Sequence, residues 1–190
     1  MSNHDSARPL LPEGAGEFTT RVRAIGSGAW DNATPCADWS VRDLVNHLTS
    51  EHLWVPHLLG GESPDEVGTR YEGDVLGADP VAAWDAAIEG SLAAWNAVES
   101  DDAVVQLSFG NAAAGEYANQ MLLDLTVHSW DLASGAGLDD RLDERVVEHV
   151  LRYAQRHAAD LVASGLFDDP VTGNRDDPQS RLLGLLGRAV

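Results

Sequence analysis

Sulfur and positive charge are both scarce in this sequence. Among 190 residues there is one cysteine, Cys36, which excludes an internal disulfide and any zinc site built from several thiolates. Low cysteine use also fits a reducing compartment. Basic side chains number 12 against 31 acidic ones, a formal net charge of −19. So acidic a surface repels phosphate backbones and anionic lipid heads, so neither nucleic acid nor a membrane is an expected partner. Solubility is the simplest reading of that charge. No apolar run approaches the roughly 18 residues of a membrane span. The first residues lack the basic start and apolar stretch of a signal peptide, and a cytoplasmic protein is the expectation. Also missing are a G-x-S-x-G elbow, a phosphate-binding glycine loop, a C-x-x-C pair, internal repeats and low-complexity tracts.

A 44% hydrophobic content and this length suit one globular domain with a sizeable core. Residues 1–16 are polar with Pro9 and Pro12 and read as a flexible N-terminal arm, leaving 17–190 as a single helical domain. Residues 17–30 carry Phe18, Val22, Ile25 and Trp30 at helical spacing, and Asn32, Thr34 and Pro35 break that pattern. A second helix starts sharply: Ser40 is a good N-cap, Asp43 completes an acidic capping box, and Trp39 can staple onto Leu44. It continues through Leu48, His52 and Val55 to Gly60-Gly61, with Pro56 predicting a kink or an early end. Residues 62–78 read as a loop, 80–99 as a third helix, and 103–109 as an extended connection. A fourth helix is predicted over 117–133 and a fifth over 140–163. A Pro- and Asp-rich tail and a short closing helix over 181–186 follow. Five main helices with one extended segment argue for a bundle, not a βαβ sheet.

Helix geometry picks out the chemistry. At about 100° per residue, side chains four apart lie about 40° from each other, on one face. Asp124 and His128 have that spacing, the logic by which H-E-x-x-H helices chelate zinc. Asp131 falls close to the same stripe and can support an imidazole from behind as hydrogen-bond acceptor. One helix cannot complete a tetrahedral site, and His47 on the second helix is the best third ligand, with Glu51 in reserve. His47, His52 and His57 are separated by turns of about 140° each and cannot face one centre. His149 and His157 are about 12 Å apart along their helix, too far for a shared ion, and read as surface or packing residues. The bland alternatives are a satisfied core histidine and a surface Asp–His hydrogen bond. Against them stands the setting of Asp124 among Met121, Leu122, Leu123, Leu125 and Val127, where an unpaired carboxylate is costly. A reactive thiol needs a cationic or histidine partner. None stands near Cys36 in sequence, so it reads as a buried structural residue. Trp54, Trp84 and Trp95 read as core or pocket lining, and Trp130 as a helix anchor.

The stretch from Thr34 to His47 (TPCADWSVRDLVNH), the segment Asp124 to Leu132 (DLTVHSWDL) and the closing QSRLLGLLG up to Gly187 together resemble the maleylpyruvate isomerase-type, DinB-like family of actinobacterial metal-binding proteins. The resemblance implies an all-α, DinB-like up-and-down four-helix bundle with an additional C-terminal helix. It also implies a divalent metal, zinc first and nickel second, held by His47, Asp124 and His128. Asp124 stands where such members usually carry glutamate. A mycothiol-type thiol is the implied co-substrate, used against a small electrophile in an S-transferase or detoxifying reaction. Isomerisation is not expected, because the isomerases carry a second domain. No residue is assigned a catalytic role. The rival expectation is a non-catalytic metal or small-ligand binding bundle, with a homodimer through the bundle as a further expectation. A third reading makes the trio a buried hydrogen-bond cluster.

Overall fold

The start signal around Ser40 forms as a full capping box. Ser40 Oγ accepts the Asp43 N–H, and an Asp43 carboxylate oxygen accepts the Ser40 N–H at 3.0 Å. Helix α2 (Val41–Leu59) runs from that cap. The computed structural model describes residues 6–36, 39–163, 169–171 and 176–189. The other elements are α1 (Leu11–Ala24), α3 (Pro64–Val67), α4 (Pro80–Ala97), β1 (Val104–Leu107), β2 (Gly110–Ala113), α5 (Ala114–Ala136), α6 (Glu144–Ala163) and α7 (Pro178–Leu185). Helices α1, α2, α4 and α5 form the up-and-down four-helix core: α2 lies against α4 and α5, and α1 against α5 and α4. Helix α6 covers a further side of α5, and α7 packs on α6. The architecture is the all-α, DinB-like bundle that the sequence predicts.

Helix α5 is the axis of the molecule. From Leu122 to Ala133 nearly every side chain on it is buried, as expected of a helix with neighbours all round. The core between α1, α2 and α4 centres on Phe18 and Trp84, rings 4.7 Å apart, with Trp84 Nε1 donating to Thr19 Oγ1 at 2.9 Å. His52, 1% exposed, points into this core: Nδ1 lies 2.8 Å from Ser91 Oγ and the ring stands edge-on to Trp84.

Several boundaries differ from the sequence reading, each for a local reason. The arm expected over 1–16 is cut short. A 3-10 turn over Arg8–Leu10 leads into α1 at Leu11, where Pro12 occupies the first helical turn that tolerates proline. Residues 1–5 lie outside the described residues. Helix α1 ends at Ala24, so Trp30 sits in the connection beyond it. Pro56 neither ends nor shortens α2, which continues to Leu59; the proline forgoes one ladder bond, that to the His52 carbonyl, and the ladder resumes after it, with the Gly60 N–H on Pro56 O at 3.0 Å. The loop over 62–78 contains the one-turn α3, capped by Ser63 and Glu66. The extended connection is the first strand of a hairpin, pairing Val104 with Ala113 and Leu107 with Gly110. Gly110 adopts a φ of +123°, open to glycine alone among common residues. Most of the Pro- and Asp-rich tail lies outside the described residues.

Candidate metal centre

Helices α2 and α5 pack side by side, and His47 on the first faces Asp124 and His128 on the second. His47 Nε2 lies 3.2 Å from Asp124 Oδ2, and His128 Nε2 lies 3.2 Å from Asp124 Oδ1. One carboxylate thus receives two imidazoles from two helices, one on each oxygen. A nitrogen of each ring and an oxygen of the carboxylate lie within 4.8 Å of one another. The arrangement is deep on one side and open on the other: the His128 side chain is 6% exposed, Asp124 23% and His47 29%.

Behind the trio runs a buried chain of charge. His128 Nδ1 is 3.0 Å from Asp131 Oδ2, and Asp131 in turn accepts two hydrogen bonds from Arg188, at 3.2 and 2.8 Å. Trp39 closes a third side, its ring centroid 4.7 Å from that of His47 and 5.7 Å from that of His128. Glu51, one turn after His47, borders the site but is not among the convergent donors.

Electrostatics follow from this packing. Burial disfavours charge on His128, but Asp124 and Asp131 at its two nitrogens overcome that and hold its pKa up at about 9. Burial opposes charge on His47 as well, and Asp124 nevertheless raises its pKa. For Asp124 burial pushes upward, yet the two imidazoles win and drive its pKa well below the usual carboxylate range. Burial, reinforced by Asp124, raises Glu51. Two nitrogens and one carboxylate oxygen match the donor preferences of zinc and nickel, and imidazole protons are ones a metal can displace. The residues therefore fit a divalent cation.

The other described histidines stand apart from the trio. His57 is held between Glu62, at 2.7 Å, and Tyr71, also at 2.7 Å. His149 meets Asn119 at 2.9 Å, and His157 stacks on Tyr153. Trp84 and Trp95 are buried and Trp54 is packed against the core; Trp130 is buried too. Sequence reasoning missed three site neighbours. Cys36 is half-buried, not fully buried, with a sulfur inside the 4.8 Å grouping that includes His128 and Asp131. The histidine near it, His128, is distant in sequence and adjacent in space. Trp39, read as a staple, lies over the imidazoles, and its place directly before the N-cap of the helix bearing His47 was a usable hint. Arg188 had no local signal. Asp38, beside Cys36 in sequence, lies outside the described residues.

The family model described as mycothiol maleylpyruvate isomerase N-terminal domain matches residues 11–133. An uncharacterized protein of Mycobacterium tuberculosis, matched in strains CDC 1551 / Oshkosh and ATCC 25618 / H37Rv, is 26% identical over 126 residues, 66% of this chain. The chain spans 65% of the length of those curated relatives. Among solved structures, a crystal structure of a histidine-to-alanine mutant of the mycothiol-dependent maleylpyruvate isomerase superposes with a TM-score of 0.64 at 14% identity. That superposition covers 82% of this chain and 68% of the other. At that identity the likeness establishes the shared fold.

Proposed function

This chain belongs to the mycothiol maleylpyruvate isomerase N-terminal domain family, and on that premise we propose that it is a metal-dependent enzyme using a low-molecular-weight thiol against a small electrophile. His47, Asp124 and His128 are the proposed ligands, with zinc the first candidate and nickel the second. The observation that carries the reading is the convergence of two imidazoles from separate helices on one carboxylate whose outer side stays accessible. Three protein ligands with an open position are what a catalytic centre needs, whereas a structural one is closed. When bound, the metal supplies a Lewis acid that keeps a thiol sulfur as nucleophilic thiolate at neutral pH.

The chain's own residues do the positioning. His47 and His128 offer their Nε2 atoms, and Asp124 supplies the negative charge that a cation needs. Asp131 accepts from His128 Nδ1 and so fixes the ring with Nε2 outward. Trp39 shields the imidazoles from water on one side, leaving the partly exposed edges of His47 and Asp124 as the approach for a thiol.

The rival is a bundle that binds metal or a small ligand without turnover. Incubating zinc-loaded protein with a thiol and an alkyl halide separates the two. The thiol adds to carbon, halide leaves and a proton is released. Thioether formation that needs both protein and metal, and is lost in Asp124→Asn, supports the enzyme. Stoichiometric metal with no rate above the buffer control across a panel of thiols and electrophiles would leave the binding module.

A further inference from the structure

Among the described residues the trio is one of two overlapping donor sets. The Cys36 sulfur, a His128 ring nitrogen and an Asp131 carboxylate oxygen also lie within 4.8 Å of one another. His128 belongs to both, with Nε2 turned to Asp124 and Nδ1 to Asp131. Soft thiolate is a stronger zinc donor than carboxylate, so composition alone would favour the set containing Cys36.

What distinguishes them is the partner of each carboxylate. Asp124 faces two imidazoles, whose protons a metal can displace. Asp131 faces Arg188, whose guanidinium engages both oxygens: Nε reaches Oδ1 at 3.2 Å and Nη2 reaches Oδ2 at 2.8 Å. A guanidinium does not give up its proton in a protein. The Arg188 side chain is 4% exposed and that of Asp131 0%, so neither swings away into water. A cation approaching Cys36, His128 and Asp131 would meet a fixed positive charge already seated on the carboxylate. Among the described residues, no arginine pairs with Asp124.

The chain is built to deliver this arginine. Gly187, at a φ of +83°, turns α7 off; the Arg188 N–H reaches Leu183 O at 2.9 Å and the Gly187 N–H reaches Gly184 O at 3.3 Å. These are the two bonds of a Schellman ending. Leu182, Leu183 and Leu186 bury the turn, and Arg188 Nη1 donates to Leu186 O at 2.8 Å. Arg188 lies beyond the residues 11–133 matched by the family model.

We propose that Arg188 is a positioning residue that selects between the two donor sets. It keeps Asp131 as the acceptor for His128 Nδ1, leaves Nε2 for the cation, and denies Asp131, and with it Cys36, to that cation. The inference rests on the metal reading above. Cobalt titration of the full, untagged chain tests it, because a cobalt–thiolate bond gives a near-ultraviolet charge-transfer band that imidazole and carboxylate do not. The native chain binds cobalt without that band, and Cys36→Ser binds it with unchanged affinity. Arg188→Gln, which frees Asp131 and opens the set containing Cys36, shows the thiolate band. Adding Cys36→Ser removes the band, while Arg188→Lys keeps the charge and keeps it absent. A thiolate band in the native chain, or a marked loss of affinity in Cys36→Ser, overturns the proposal even if Arg188→Gln fails to fold. So does cobalt bound without the band in a folded Arg188→Gln. A native chain that takes up no cobalt removes the metal reading itself.

Discussion

His52 shows how one buried side chain ties stability to pH. Burial pushes its pKa from 6.5 down to about 4, against a smaller upward pull from Asp124. The unfolded chain therefore binds a proton there at pH values where the folded chain does not. Stability from this group is fully present above about 6.5 and is lost as pH falls toward 4, at about 1.4 kcal/mol per pH unit for one proton. Urea midpoints of the native chain should drop across that window, and those of His52→Leu should drop less; equal slopes would refute the assignment. Asp124 matters differently, because both imidazoles face it. Asp124→Asn keeps the shape but removes the charge, and zinc affinity measured against a chelating dye should fall by more than the roughly 10–100-fold that supporting partners are worth. At this scale the sequence was informative where partners share a helix. The spacing of Asp124, His128 and Asp131 was legible because a helix converts it into direction. The bond from Arg188 to Asp131 spans 57 positions, and no periodicity encodes such a contact.

Elements position these residues through a close approach at Gly135. A Cβ built there would sit 2.9 Å from Thr34 Cγ2, 3.0 Å from Ala33 O and 3.0 Å from Val41 Cγ2. Asn32 also donates to the Gly135 carbonyl at 3.0 Å. The missing side chain thus lets the segment leading into α2, which carries Cys36 and Trp39, lie directly on α5. Gly135→Ala should cost about 1–3 kcal/mol as an overpacking change and weaken metal binding as Trp39 shifts from the imidazoles. A variant with native melting temperature and native affinity would contradict this. Removing the α2 cap with Ser40→Ala should cost about 1 kcal/mol by urea denaturation, without touching a ligand. Elements were readable where the start signal was local and unambiguous, as at Ser40-Asp43. They were misplaced where one residue type serves two purposes. Pro12 and the nearby glycines suggested a loose arm, yet Pro12 stands in the first turn of α1 and Gly14 is buried against Leu122. The hairpin was half visible, because β2 is made of glycine, asparagine and alanine, residues with little strand preference.

The whole molecule carries its excess of acid on a small bundle, with 12 basic side chains to offset 31 acidic ones. Self-repulsion of that size opposes compaction and is screened once the Debye length falls to about 10 Å near 0.1 M salt. Sodium chloride should therefore raise the melting temperature from its low-salt value, and a fall would show that attractive pairs dominate the surface. Among the described residues no helix is long and apolar enough to cross a membrane. The same acidity favours cations in general, so only a site-specific measurement separates a built centre from loose association. The most direct test of the central claim is metal content by mass spectrometry on protein purified without a histidine tag, beside a His128→Ala variant. The account predicts near-stoichiometric zinc or nickel in the native chain, as isolated or after zinc incubation and desalting, and its loss in the variant. A native chain that folds equally well and stays metal-free after zinc incubation, or a variant that retains the ion, would contradict it.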